Sequence, residues 1–339
     1  MKTNKSVISV CIPSYNRPTE LVRLLKSIDL QGPEIEVVIC EDKSPARKKI
    51  RESVKDFQKN SSLNINYYEN SKNLGYDSNI REVSQKASGE FIIYMGDDDQ
   101  FVPGALAKVM TFLNEHPELG YVLKSHLFVH KNNKVEKFRY YDKTCFFDPG
   151  AETLVKLFRK SVFISGFIIN RKAIQNHMLS DFNGTLLMQL YFLAEVALKY
   201  PCAYFDEPLT LQHDEGIPMF GSSSNEEALY TPGSITVENS LNFIKSFFKI
   251  TEFIDQKYGI AITPEVQLDM AKYSYPFLTI QRNKGLSEFR RYKNALCKIG
   301  INSSIYFYIY YWALFFLGKN LCDRIILILK KIIGKSPKL

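Results

Sequence analysis

The chain contains no CxxC pair, no internal repeat, no low-complexity segment and a single tryptophan. Without paired motifs, its six cysteines (Cys11, Cys40, Cys145, Cys202, Cys297 and Cys322) read as reduced, mostly buried thiols of a cytosolic compartment. Without repeats, a solenoid is excluded. A secretory leader is not expected either: Lys2 and Lys5 precede only a short apolar run, Val7 to Ile12, which Pro13 breaks. Most of the chain also lacks excess positive charge. Between Arg282 and Lys338 stand 12 Lys and Arg against Glu288 and Asp323, which leaves 32 basic and 34 acidic residues elsewhere. A basic excess confined to the C-terminus argues against a nucleic-acid binder and for a local anionic partner.

Apolar material is plentiful. Hydrophobic residues make up 45% of the 339 and charged residues 24%, with 24 Phe and 20 Tyr, enough for a full core. Val7–Ile12, Ile35–Cys40 and Phe91–Met95 are short apolar runs that read as buried strands, and Asn64–Tyr68 alternates as a further one. Helices are expected between them: one capped by Thr19 with Leu21, Leu24, Leu25 and Ile28 on its apolar face, one over Ala46–Asn60, one over Ile80–Ala87. This alternation predicts an α/β fold with a mostly parallel, Rossmann-like sheet flanked by helices. Further on, Pro103–Asn114 and Leu186–Lys199 read as helices. Tyr121–Val129 and Val135–Tyr141 read as strands of a hairpin about Lys131-Asn132-Asn133, and Ala203–Phe205 as a short strand. Gly216–Gly233 reads as a loop or lid, and the chain from Ile235 onward as a helical C-terminal extension.

In a parallel sheet, ligands bind at the carboxyl ends of the strands. Those ends carry Ser14-Tyr15-Asn16-Arg17, Glu41-Asp42 and Asp97-Asp98-Asp99. Adjacent aspartates repel, and desolvation raises the cost. A divalent Mg²⁺ or Mn²⁺ relieves both problems, taking carboxylate, phosphate and water oxygens, and can act as a Lewis acid on a diphosphate leaving group. A solvated acidic turn with capping aspartates is the alternative.

Three segments taken together, SVCIPSYNRPTELVRLLKSI, EVVICEDKSP and YYENSKNLGYDSNIREVSQKASGEFIIYMGDDD, resemble family 2 glycosyltransferases over residues 6–104. The NLGYD and GDDD wording is closest to the abequosyltransferase-like, O-antigen and capsule branch. The resemblance implies a GT-A fold, a nucleotide-sugar donor and a metal. It implies that Asp99 ligates the metal and that Asp97 sits near the ribose and diphosphate, with Asp98 between them. Asp42 is implied as the partner of the base, with Pro13 and Tyr15 packing the pyrimidine. Arg17 can pair with phosphate or form a surface ion pair. Asn73 and Asn79 match family asparagines, or serve as turn and cap residues. His213 stands where relatives carry a histidine that completes the metal shell, beside Asp99 and Asp97; a structural or surface histidine is the alternative. Inverting relatives carry an acidic pair near the start of the helix at residues 187–189, where this chain has Leu187, Met188 and Gln189. Asp181 and Glu195 are the nearest carboxylates, and neither is expected to act as the base.

The last segment carries a separate signal. Ile305–Leu317 is uncharged and rich in aromatics, too short as a helix for a bilayer core, and Arg324, Lys330 and Lys331 follow among Ile and Leu. Such a segment suits a helix lying in a membrane interface, with core or oligomer packing as the alternative. The expected organisation is a catalytic domain over 1–215, a lid and helical region over 216–300, and a basic amphipathic tail over 301–339 that meets anionic lipid on the inner face of the plasma membrane. The expected reaction takes a UDP- or CDP-linked sugar to a hydroxyl of a lipid-linked saccharide, with no nucleic-acid partner. The rivals are a nucleotidyltransferase, whose G-x-G-x-R loop is replaced here by PSYNRP, and a catalytically inactive membrane-bound assembly factor.

Overall fold

The structure, a computed structural model, describes residues 7–130, 132–213 and 219–333. Lys131 at the expected hairpin tip, residues 216–218 of the expected lid and residues 334–339 of the expected tail lie outside the described residues. The first apolar runs form β1 (Ile8–Ser14), β2 (Ile35–Glu41), β3 (Ile65–Glu69) and β4 (Phe91–Tyr94), crossed over by α1 (Pro18–Lys26), α2 (Arg47–Lys59) and α3 (Tyr76–Lys86). These strands pair in parallel in the order β3-β2-β1-β4. One core layer packs α1 and α2 on one face, and the other packs α3 on the opposite face, so β1, β2 and β4 are covered on both sides while the edge strand β3 leaves Tyr68 exposed. Ser14 lies opposite Glu41 and Cys11 opposite Tyr94, which brings the carboxyl ends of β1, β2 and β4 to one edge.

The sheet continues through β5 (Gln100–Phe101), α4 (Ala105–Glu115), β6 (Tyr121–Val129), β7 (Val135–Phe138), β8 (Cys145–Phe147) and α5 (Ala151–Phe158). Next come β9 (Phe167–Asn170), α6 (Arg171–Ile174), α7 (Met188–Ala197) and β10 (Cys202–His213). This half is mixed. β9 runs antiparallel to both β4 and β6, while β10 runs parallel to β6. The expected hairpin is present, with Val129 opposite Val135. Thr19 does not cap α1. Arg17 holds the cap position and Pro18 starts the helix, where its missing N–H costs nothing. The short strand expected at Ala203–Phe205 is the start of β10, which continues past irregularities beside Pro208.

Five helices complete the chain: α8 (Val237–Tyr258), α9 (Thr263–Lys272), α10 (Tyr275–Arg282), α11 (Leu286–Lys298) and α12 (Ile305–Ile333). One core cluster runs from Cys11 in β1 to Leu314 and Cys322 in α12. The tail is therefore not detached at residue 301. Phe307, Tyr311 and Leu314 are buried on one face of α12, and the helix kinks at Gly318, where φ is 72°. Its opposite face exposes Ile305, Ile309, Trp312 and Phe316, then Leu321, Ile325 and Ile328 beyond the kink. No helix of the described residues is long and apolar enough to cross a membrane.

Candidate active site

The aspartate run follows β4 directly. Asp97 is buried; its Oδ2 accepts from the Tyr15 backbone N–H (2.9 Å) and its Oδ1 from Arg17 Nη1 (3.0 Å). The same Nη1 lies 2.9 Å from Asp98 Oδ2. Asp97 and Arg17 thus lock the end of β1 to the end of β4, across a turn in which Asn16 takes a left-handed φ of 62°. Asp99 is also buried and accepts from Ser165 Oγ; the His213 backbone N–H points to its carboxylate. The His213 ring pairs through Nε2 with Gln100 Oε1 at 2.7 Å.

Asp42, at the end of β2, organises the NLG segment. Its Oδ1 accepts from Asn70 Nδ2 (2.8 Å) and the Leu74 N–H (2.9 Å), and its Oδ2 from the Gly75 N–H (2.9 Å). Asn79 is buried behind it and donates to the Cys40 carbonyl at 3.0 Å, so it braces the strand end. Asn73 reaches forward, donating to the Ser222 carbonyl at 3.2 Å. The loop after residue 219 closes on this segment through Glu226, which was not foreseen from the sequence. Its Oε1 accepts from the Tyr76 N–H (2.7 Å) and its Oε2 from the Gly221 N–H (2.9 Å). Gly75 leaves the space this needs: a Cβ there would stand 2.4 Å from Ser223 Oγ and 2.8 Å from Glu226 Oε1, at a φ of 81°.

These residues line one open cleft of about 340 Å³. Pro13, Tyr15, Arg17, Asp42, Asn73 and Asn79 are all on its wall. Asp97, Asp98, Asp99 and His213 are there too, joined by Met219, Phe220 and Glu226 of the loop. Losing the Glu226 carboxylate removes two charge-assisted hydrogen bonds that hold the loop. Glu226→Ala should therefore raise the Kd for a bound nucleotide by about tenfold and expose residues 219–233 to limited proteolysis. Unchanged affinity and cleavage would show that the loop closes without it.

Burial sets the electrostatics. It pushes the Asp97 carboxyl up to about 6, with Arg17 opposing and Asp98 reinforcing the shift. Asp99 is raised by burial and then by Asp98, against the pull of Ser165 and Lys124. Lys124, buried in β6 with its ammonium 4.3 Å from the centre of the Phe163 ring, is lowered by burial while Asp99 opposes. Clustered, desolvated carboxylates of this kind favour a bound cation, and their hard oxygens suit Mg²⁺ or Mn²⁺. The expected ligands, Asp99, Asp97 and His213, all line the one cleft. Among the described residues no three such side chains converge as a complete ligand group. Asp97 is engaged by Tyr15 and Arg17, and the His213 ring by Gln100. Asp98 shares the same Arg17 Nη1, and Asp99 accepts from Ser165 Oγ, so all three carboxylates of the run are engaged by the protein.

Neither weak base candidate reaches the cleft. Asp181 is exposed beside α8, its carbonyl taken by Lys249. Glu195 sits within a cluster of Lys257, Tyr258 and His177. At the start of α7 the carboxylate comes instead from α3: Asp77 accepts from the Leu186 and Met188 N–H groups, each at 2.9 Å, and acts as a cap. Gln189 and His126 line an adjoining chamber; His126 Nδ1 is buried without a hydrogen-bond partner among the described residues.

Residues 9–177 match glycosyl transferase family 2. The chain belongs to that family. Over 114 residues this chain is 32% identical to the abequosyltransferase RfbV of Salmonella typhimurium, covering 33% of this chain and 34% of that protein. It is also 32% identical over 114 residues to the GalNAc(5)-diNAcBac-PP-undecaprenol beta-1,3-glucosyltransferase of Campylobacter jejuni, covering 32% and 35%. Both matches span about a third of the relatives' length. The fold extends further than the sequence match. Staphylococcus aureus TarS 1–349 in complex with UDP-GlcNAc aligns at a TM-score of 0.57 and 17% identity over 86% of this chain and 80% of that one. The mannosyltransferase PcManGT of Pyrobaculum calidifontis, in complex with GDP-Man and Mn²⁺, aligns at 0.51 and 14% over 98% and 88%. The glycosyltransferase has a GT-A fold with added C-terminal helices.

Proposed function

We propose that this glycosyltransferase moves a sugar from a UDP- or CDP-linked donor to a hydroxyl of a lipid-linked surface-polysaccharide intermediate, with Mn²⁺ or Mg²⁺ as cofactor. The observation that carries this reading is the meeting of three strand ends in one cleft, with Asp42 and its loop on one side, Asp97–Asp99 on the other, and Pro13 and Tyr15 from the middle strand between them. Pro13 and Tyr15 offer flat apolar surface to a pyrimidine. Asp42, already holding the Leu74 and Gly75 amides, shapes the base pocket through that loop. Arg17 can turn from Asp98 toward phosphate. A cation at Asp98 and Asp99 would supply Lewis-acid stabilisation of the diphosphate leaving group. The Phe220–Glu226 stretch excludes water above the donor, and Gln189 and His126 offer hydrogen bonds to an acceptor in the adjoining chamber. Incubation with labelled UDP- or CDP-sugars and a bacterial lipid-linked saccharide extract tests the reaction. Label in the lipid fraction, lost with EDTA, is expected; label released only as free sugar would remove the lipid-linked acceptor from the account.

The proposed site of work is the cytoplasmic membrane surface, on anionic lipid. The exposed stripe on α12 supports it: Ile305 is 68% exposed, Trp312 50% and Phe316 75%. Because Phe307, Tyr311 and Leu314 on the other face belong to the core, the test replaces exposed residues and keeps the helix. Trp312→Glu with Phe316→Glu should cut flotation with anionic vesicles by at least about tenfold, since each ring contributes roughly 1.5–3 kcal/mol on burial. Equal flotation of parent and variant would remove the stripe from membrane binding.

A further inference from the structure

We propose that the helical region contains a groove for the apolar chain of a phosphate-linked lipid carrier, continuous with the donor cleft and marked at its inner end by Arg159. The proposal rests on the reading of the acceptor as lipid-linked, and it assigns that acceptor a place. Three cavities stand in line. The donor cleft shares Tyr76, Phe163, Gln212 and Phe220 with a chamber of about 470 Å³. That chamber shares Arg159, Val162, Leu186 and Phe243 with a third cavity of about 400 Å³. Phe220, from the loop that covers the donor, lines all three and meets Tyr76 edge-on at 5.7 Å.

The third cavity lies among α8, α9, α10 and α11, walled by Phe247, Met270, Phe277, Ile280 and Tyr292. The Tyr230 and Tyr292 hydroxyls on its wall are buried without a hydrogen-bond partner among the described residues, while the amide and hydroxyl side chains of Asn239 and Ser240 are engaged elsewhere. Asn239 bonds Thr231 and Ser234, and Ser240 accepts from Gln281. Two hydroxyls cannot serve the run of backbone amides of a peptide laid in this groove, whereas a hydrocarbon chain needs no partners. Arg159, the one charged residue on the wall among the described residues, stands at the junction with the chamber. Its Nε donates to Asp269 Oδ2 at 2.6 Å and its guanidinium stacks 3.9 Å above the centre of the Tyr273 ring. Its Nη2 has no hydrogen-bond partner among the described residues, so donor capacity for an anion remains. Lys160 lines the same chamber. An occupant matching this sequence of environments is apolar along its length, anionic at one point, and polar beyond that point toward the donor. The chain of a lipid carrier, its phosphate and its saccharide follow that order. α10, which supplies Phe277 and Ile280, also holds α12 through Arg282 Nε to the Leu314 carbonyl at 2.8 Å, so the groove adjoins the helix that carries the exposed apolar stripe.

Farnesyl diphosphate, a short soluble surrogate, tests this by calorimetry on the intact protein. Titration is done with Mn²⁺ and saturating UDP or CDP, whichever binds, so that the donor cleft is filled. Farnesyl diphosphate should bind at least about tenfold tighter than inorganic pyrophosphate or farnesol, since chain and anion contribute together. Arg159→Gln should weaken farnesyl diphosphate by about tenfold and leave farnesol unchanged. Ile280→Glu, at a position 40% exposed, should weaken both. Nucleotide affinity in each variant reports on the fold, and Ile280→Glu decides alone if Arg159→Gln does not fold. With nucleotide bound, farnesyl diphosphate no tighter than pyrophosphate would overturn the groove, as would equal affinity in the Ile280→Glu protein. A parent protein that binds no nucleotide would instead overturn the donor reading.

Discussion

With Asp99 as a ligand of the proposed cation, Asp99→Asn should reduce sugar transfer by about a thousandfold or more, because losing that ligand would withdraw several kcal/mol of Lewis-acid stabilisation from a departing diphosphate. The fold should not suffer. Asp99 is 5% exposed, and both burial and Asp98 disfavour its charged form. Asparagine removes that penalty and can still accept from Ser165 Oγ. In chelator, the variant should therefore unfold at or above the parent's temperature while nucleotide binding no longer responds to Mn²⁺. The dissociation of activity from stability is the point: residues that hold a reacting group tend to be ones the fold alone would not choose. An active variant, or one that is inactive because it unfolds, would return the aspartate run to an ordinary acidic turn.

Glu195→Gln should do the opposite, lowering stability by about 1–3 kcal/mol, as expected when hydrogen bonds to a charged group are weakened and the remaining cation, Lys257, is partly solvated, with little effect on the folded enzyme's transfer rate. The Glu195 carboxylate is 1% exposed, with Oε1 2.6 Å from Lys257 Nζ and Oε2 2.6 Å from the Tyr258 hydroxyl. Burial opposes its charge, but the hydrogen bonds from Lys257 and Tyr258 outweigh burial and hold the carboxyl below its ordinary value of 4.5. A depressed carboxylate contributes stability above its unfolded pKa and loses it as pH falls through the folded value. The parent should therefore lose this contribution only on acidification below the ordinary glutamate range, where parent and variant melting curves converge. Loss of about 10² to 10⁴ in rate with the fold intact would instead identify a general base and overturn the structural role.

The meeting of these residues in one cleft was legible because they follow strand ends in sequence. Tyr15, Asp42 and Asp97 each come within a few residues of an apolar run, and parallel pairing brings such ends together whatever the loops do. Roles were less legible than positions. Asp42 was read as a base partner, yet its oxygens are filled by Asn70, Leu74 and Gly75, a geometry set by the turn chemistry of a loop about thirty residues away. Glu226 gave no periodic signal, since a carboxylate in a Gly- and Ser-rich stretch reads as solvated. Lys124 did leave a mark, a lone cation in the middle of an apolar strand. β10 runs well past Ala203–Phe205 because the sheet absorbs Asp206-Glu207-Pro208 as an irregularity. The tail's two faces were hidden for a different reason. Its aromatics are nearly continuous, so composition alone could not separate Phe307 and Tyr311 in the core from Trp312 and Phe316 in solvent.

The central claim, that the ends of β1, β2 and β4 bind a nucleoside diphosphate sugar with a divalent cation, is tested most directly by a thermal-shift titration. UDP-, CDP- and GDP-sugars would be compared with Mn²⁺ and with EDTA. A ligand that binds only the folded state stabilises it by about 2.7 kcal/mol at a hundred times its Kd. A UDP- or CDP-sugar should raise the melting temperature saturably in Mn²⁺, with the shift lost in EDTA and in Asp99→Asn. A panel that leaves the melting temperature unmoved, or a shift equally large in chelator and in the variant, would contradict the account.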